Sequence, residues 1–311
     1  MSLYLSSYCN FHCSYCIYGN MKKQHMEYNH AIKRIDEAIS LGVSGIGISG
    51  GEPSLNPHYL DIIKYMMSKN LFISFISNGY NVKDEDLKQI AFYPKISFWF
   101  SLDSHKEDIN DYLRCKGAFR KTIDYIKKVK KVNPNATTVN ISLITRRNLA
   151  DFETTADFIL NKLGINTLKV ERPLVLDRCL EIGKNELIID TRDYVHIMDK
   201  ISNKYPSRFF PNILSMPKTG CTFINENNFF ILIFPNGDIY PCCYIIDEDL
   251  KIGDKNMSLM EVLKKENIRP YHTAINECFF KNYEKNISEK GMHGCIECVE
   301  EYKKLKGISS R

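Results

Sequence analysis

Met1-Ser2-Leu3-Tyr4-Leu5-Ser6-Ser7-Tyr8-Cys9-Asn10-Phe11-His12-Cys13-Ser14-Tyr15-Cys16 opens the chain. Leu3–Ser6 reads as a short strand, and the three cysteines lie in the loop just after it. The same join, a brief apolar run followed by a segment of helical period, repeats about six times down to Pro173. Further strands are expected at Gly45–Ser49, Phe72–Ser77, Ile96–Leu102, Val139–Ile144 and Leu168–Val170. Helices are expected at Ala31–Leu41, where Ile32, Ile35 and Ile39 share one face, and near Pro57–Lys69, Asp84–Ala91, Phe119–Val132 and Asp151–Leu163. Such alternation marks βα units around a parallel sheet. Right-handed crossovers wind these units into an open doubly wound sheet or a barrel, and in both the ligand sits at the C-terminal ends of the strands.

The chain has 311 residues, 44% of them apolar, enough for one large α/β domain and a smaller appendage. Its net charge of +5 comes from 42 basic and 37 acidic side chains. The pairs Lys127-Lys128 and Lys130-Lys131 fall on an expected helix and read as a solvated face, not a nucleic-acid patch. Eleven cysteines suit a disulfide framework only in a small secreted protein, and the opening residues lack the basic start of a signal peptide. No stretch approaches the roughly 18 apolar residues of a membrane span. A cytoplasmic location follows, and because the cysteines gather toward the two ends of the chain, metal ligation is expected of them.

Three thiolates on one loop, Cys9, Cys13 and Cys16, can hold three irons of a [4Fe–4S] cube and leave the fourth open to an exogenous chelator. Zinc is the alternative, although structural zinc prefers four ligands in paired spacings. Ser49-Gly50-Gly51-Glu52-Pro53 follows the second expected strand; its glycines let the backbone approach a ligand, and Glu52 can accept from an ammonium group. Ser77-Asn78-Gly79 and Ser101-Leu102-Asp103-Ser104 end the third and fourth strands with small polar groups at the same rim.

After a bridge interrupted by Pro206, Pro211 and Pro217, a second module begins at Cys221. Phe229–Phe234, the turn Pro235-Asn236-Gly237-Asp238 and Ile239-Tyr240 read as a hairpin. Cys242 follows it, and Cys295-Ile296-Glu297-Cys298 comes later. Cys221, Cys242, Cys295 and Cys298 can ligate one second [4Fe–4S] cluster, with Cys278 as a substitute, or a zinc ion in a ribbon. Cys243 directly follows a ligand and, as a free thiol, can donate a hydrogen atom to a substrate radical. Isolated Cys115 and Cys179 read as buried inert thiols.

These motifs resemble those of the radical S-adenosylmethionine (SAM) superfamily. Its CxxxCxΦC loop is matched by Cys9, Cys13, the aromatic Tyr15 and Cys16, and its GGE motif, which holds the methionine amine of SAM, by Gly50, Gly51 and Glu52. Asn78, Ser101 and Asp103 look like the family's contacts to the SAM ribose and carboxylate, and the resemblance implies that Tyr15 too is a cofactor-binding residue. Arg114 resembles an arginine that relatives place directly before a glycine, but here Cys115 and Lys116 stand between it and Gly117. The span Cys221–Cys242 resembles the opening hairpin of SPASM and twitch extensions.

The resemblance implies a partial (β/α)6 TIM-type barrel over residues 1–173, a bridge over 174–220 and a small iron–sulfur domain over 221–311. It implies SAM, a SAM-binding [4Fe–4S] cluster, an auxiliary cluster and a flavodoxin- or ferredoxin-type electron donor. Reductive cleavage of SAM would give a 5′-deoxyadenosyl radical. Epimerisation of a ribosomal peptide residue or a small molecule, with Cys243 as donor, is the leading expectation. Oxidation of an aminoglycoside or sugar precursor and thioether or carbon–carbon crosslinking of a peptide are the other fates, and an iron–sulfur carrier or sensor is the reading without an enzyme.

Overall fold

The computed structural model describes residues 1–19, 21–173, 187–211, 224–225, 228–242, 246 and 248–264. Six strands fall where the apolar runs placed them: β1 (Ser2–Ser6), β2 (Gly45–Gly50), β3 (Phe72–Ile76), β4 (Ile96–Ser101), β5 (Thr137–Leu143) and β6 (Thr167–Glu171). The bridge adds a seventh, β7 (Phe209–Pro211), parallel to β6. Each of the seven pairs in parallel with its sequence neighbour, so their order in the sheet is their order in the chain. A doubly wound sheet reverses direction at a switch point, and this one does not. Of the two architectures open to βα units, the singly wound partial barrel is therefore the one adopted.

The crossovers are α1 (Tyr28–Ser40), α2 (Tyr59–Ser68), α3 (Asp84–Ile90), α4 (Glu107–Leu113), α5 (Ala118–Val132), α6 (Phe152–Asp157) and α7 (Thr191–Lys204). A single π turn, Phe158–Lys162, continues α6. In α7 the side chain of Asp190 caps the first turn by accepting from the Arg192 N–H. α4, not anticipated, turns only Asn110 and Leu113 fully inward; seven residues with so few buried apolar positions carry little helical period.

The strands bury one face under these helices. In β4, Ile96, Phe98 and Phe100 enter the main core with Tyr125, Ile126 and Val129 of α5, while Ser97, Trp99 and Ser101 lie half-buried on the face toward the barrel interior. A second, small core forms beneath the cysteine loop from Tyr15, Leu113 and Leu187, with Cys13, Ile109 and Leu143 packed on it.

Beyond the barrel, β8 (Ile224–Asn225) pairs with β9 (Asn228–Phe229), and the expected hairpin is present as β10 (Leu232–Ile233) and β11 (Ile239–Tyr240). Its location departs from the sequence reading, which set it in a separate module. β10 runs parallel to β1, Ser2 opposite Leu232 and Leu3 opposite Ile233, so the hairpin extends the barrel sheet to nine strands. The chain then returns to α1. There the wholly buried guanidinium of Arg34 donates to the carbonyls of Met257 (2.7 Å) and Asp254 (2.9 Å) and pairs with Glu37 at 2.7 Å. A short helix, α8 (Leu259–Val262), follows, opened by a capping box between Ser258 and Glu261. Among the described residues no helix is long and apolar enough to cross a membrane.

Candidate SAM and iron–sulfur site

The parallel strands bring their polar C-terminal loops to one rim. Cys9, Cys13 and Cys16 are half-buried there, none of them in a disulfide. The Phe11 N–H donates to Cys9 Sγ at 3.4 Å, and the side-chain amide of Asn78 lies 4.0 Å from the same sulfur. Burial pushes the Cys9 thiol up to about 11, opposed by that backbone N–H, and Cys13 up to about 12, opposed by the Arg114 guanidinium. Thiols this reluctant to ionise become thiolates when a metal takes the place of the proton. Among the described residues no three Cys, His, Asp or Glu side chains close on a single ion. In a cube each thiolate serves its own iron, so three thiolates on one loop suit a [4Fe–4S] cluster with its fourth iron left open.

The turn after β2 is docked on this loop by two backbone bonds, Gly51 N–H to Ser6 O (2.7 Å) and Glu52 N–H to Tyr8 O (2.8 Å). A Cβ on Gly50, whose φ is +139°, would meet Ser6 O at 2.4 Å, and one on Gly51 would meet Tyr8 O at the same distance. What the two glycines admit is therefore the protein's own cysteine loop, a closer constraint than the ligand approach inferred from sequence.

Glu52 is anchored by the protein itself. The carboxylate is fully buried; Oε1 accepts from the Ser54 N–H (3.0 Å), the Ser54 hydroxyl (2.6 Å) and the Ser77 hydroxyl (2.7 Å), and Oε2 from the Asn78 N–H (2.7 Å). Burial pushes its pKa up, and the Ser54 and Ser77 hydrogen bonds oppose the shift. Three of the four donors converge on Oε1 and one on Oε2, so Oε2 keeps an acceptor position. Glu52 thus ties the ends of β2 and β3 together.

Asn78, held by Glu52, turns its side-chain amide to Asn10 Oδ1 at 3.0 Å. Ser101 stands half-buried at the end of β4 on the interior face. Asp103 is fully buried and joined to Tyr15 and Arg114, whose guanidinium lies 5.5 Å over the Tyr15 ring. Two buried donors beside the cysteines, Arg114 Nε and Asn10 Nδ2, have no hydrogen-bond partner. Buried polar groups are rarely left so, and SAM carries a carboxylate able to accept from such donors. The rim thus fits both the cluster and SAM.

Of the expected ligands of the auxiliary centre, Cys242 is half-buried just past β11. Cys221, Cys295, Cys298, the substitute Cys278 and the candidate donor Cys243 lie outside the described residues. Sequence reading passed over the interior-facing Trp99 and the ion pair of Lys169 with Glu171 (2.7 Å) on β6. Strict alternation in Ile96–Ser101 and Thr167–Glu171 was the available signal.

Residues 3–159 match the model of the radical SAM superfamily, and residues 221–299 match SPASM, an iron–sulfur cluster-binding domain. Mycofactocin maturase MftC of Mycobacterium tuberculosis is 23% identical over 278 residues, covering 83% of this chain and 70% of that protein. The structure of Streptococcus suis SuiB bound to precursor peptide SuiA superimposes with a TM-score of 0.66 at 16% identity, over 84% of this chain and 63% of SuiB. That of anSMEcpe with bound AdoMet and Cp18Cys peptide gives 0.70 at 16%, over 98% of this chain and 96% of the other. At these identities the two structures establish the shared fold. The chain therefore belongs to the radical SAM superfamily, an enzyme with SAM and a [4Fe–4S] cluster as cofactors and a SPASM domain that implies auxiliary iron–sulfur chemistry.

Proposed function

We propose that this enzyme modifies a peptide, inverting a stereocentre with Cys243 as the hydrogen-atom donor. When bound, the cluster and SAM supply a 5′-deoxyadenosyl radical, which takes a hydrogen atom from a substrate carbon. Cys9, Cys13 and Cys16 would ligate that cluster, and one auxiliary cluster would rest on Cys221, Cys242, Cys295 and Cys298. Glu52, Ser77 and Asn78 brace the rim, and the half-buried Trp99 and Ser101 line the interior where a substrate chain would lie.

The observation that carries the reading is the course of the hairpin. The cysteine triad follows the C-terminal end of β1. β10 runs alongside β1, β11 returns antiparallel with Tyr240 level with Leu232, and Leu232 is level with Ser2. Cys242 therefore emerges at the N-terminal end of β1, across the barrel from the triad. Inversion requires a hydrogen atom to leave one face of a carbon and another to arrive at the opposite face. A hydrogen-atom donor is therefore required on the side where Cys242 emerges, and Cys243 is its next residue in sequence. Donation leaves a Cys243 thiyl radical, which regains one electron and one proton with a flavodoxin- or ferredoxin-type donor as the reductant.

A peptide substrate is supported by the relatives, one named a maturase and one solved with its precursor peptide. Co-expression with short peptides encoded beside the gene, in deuterium oxide, tests the proposal. The expected product carries one deuterium at an inverted centre, and Cys243→Ala should cleave SAM without giving that product. Deuterium-free product at normal yield from Cys243→Ala would overturn it.

A further inference from the structure

Tyr15 and Asp103 are each implied by family resemblance to touch SAM, yet the structure turns both side chains toward one another. The Tyr15 hydroxyl donates to Asp103 Oδ2 at 2.6 Å. Asp103 Oδ1 receives Arg114 Nη2 at 2.8 Å and the Leu143 N–H, from the end of β5, at 2.9 Å. Its backbone is held as well: the Asp103 N–H donates to Asn110 Oδ1 (2.9 Å), and Asn148 Nδ2 donates to its carbonyl (2.7 Å). The acid is fully buried and Arg114 nearly so. One residue before Tyr15, the backbone N–H and hydroxyl of Ser14 both donate to Leu113 O at 2.9 Å. The loop bearing three cysteines is thus fastened between Cys13 and Cys16 to the ends of β4, α4 and β5.

We propose that Tyr15 and Asp103 are positioning residues, a buried phenol–carboxylate–guanidinium latch that sets the cysteine loop, and with it the open iron, against the strand ends where SAM must lie. The inference rests on the cofactor assignment and is independent of the substrate. Asp103 has a second effect through charge. It neutralises Arg114, whose guanidinium lies over the Tyr15 ring on the small core against which Cys13 packs. Without the carboxylate an uncompensated guanidinium would face the cluster and favour its reduced, more negative state.

Anaerobically loaded full-length protein, reduced and titrated with SAM, tests this by electron paramagnetic resonance, because a cluster with an open iron is the one whose signal responds to SAM. Tyr15→Phe keeps the ring and the charge and removes one charge-assisted hydrogen bond, worth roughly a tenfold change in the SAM concentration at half-response. Iron per chain should stay at the wild-type value; loss of iron with unchanged thermal unfolding would equally show that the latch holds the loop. Asp103→Asn should move the cluster's midpoint potential in the positive direction, which a purely structural role would not do. Wild-type SAM response and iron content in Tyr15→Phe would overturn the latch even if Asp103→Asn fails to fold, and an unshifted potential in a folded Asp103→Asn would overturn the charge effect. Absence of any SAM response in loaded wild-type protein would instead bring down the cofactor assignment, and the latch with it.

Discussion

Glu52 shows what a residue's neighbours decide that its motif does not. The glycine–glycine–glutamate run is visible in the sequence, and its place after the second strand correctly marks the rim. Its direction is set by Ser77 and Asn78, 25 and 26 positions away, and by burial that only the folded sheet creates. Replacing Glu52 by Gln keeps the shape but turns one acceptor into a donor facing buried donors. The expected cost is about 1–3 kcal/mol of stability, read by thermal unfolding, together with loss of SAM cleavage as the turn leaves the cysteine loop. A Glu52→Gln protein with wild-type unfolding and cleavage would mean that those four hydrogen bonds do not hold the rim.

At the scale of elements, strands proved the most legible part of the chain. Apolar runs such as Ile96–Ser101 alternate with period two and are long enough to be unambiguous. α4 and β7 were not, since each buries few side chains and owes its form to what packs on it. The destination of the hairpin was equally hidden, because turn chemistry at Pro235–Asp238 specifies a reversal and says nothing about which edge receives it. Arg34 holds the segment that follows the hairpin. Met in its place fills much of the space but leaves the carbonyls of Asp254 and Met257 and the Glu37 carboxylate without their donor. We expect a loss of roughly 3 kcal/mol in thermal unfolding. Faster amide exchange across residues 254–262 should accompany it, with β2 to β5 unaffected. Uniform acceleration over the whole sheet would show instead that Arg34 stabilises the barrel at large.

Over the whole molecule, seven parallel strands in chain order leave one mouth at their C-terminal ends, and the triad, the glycine turn, Asn78, Ser101 and Asp103 all meet there. Strand-end position alone was enough to gather them, since parallel βα units put every such loop on the same side. What the sequence could not convey was that Glu52 is held by Ser54, Ser77 and Asn78, and that Tyr15 and Asp103 face one another, forming the frame around the site. The central claim is that Cys9, Cys13 and Cys16 hold the cluster that cleaves SAM. Its most direct test is the formation of 5′-deoxyadenosine by anaerobically reconstituted, dithionite-reduced protein given SAM, beside a variant with all three cysteines changed to Ala. The wild type should form it and the variant should not, while retaining the iron bound by its C-terminal cysteines. Nucleoside formed equally by both, or by neither when the wild type carries its full iron, would contradict the account.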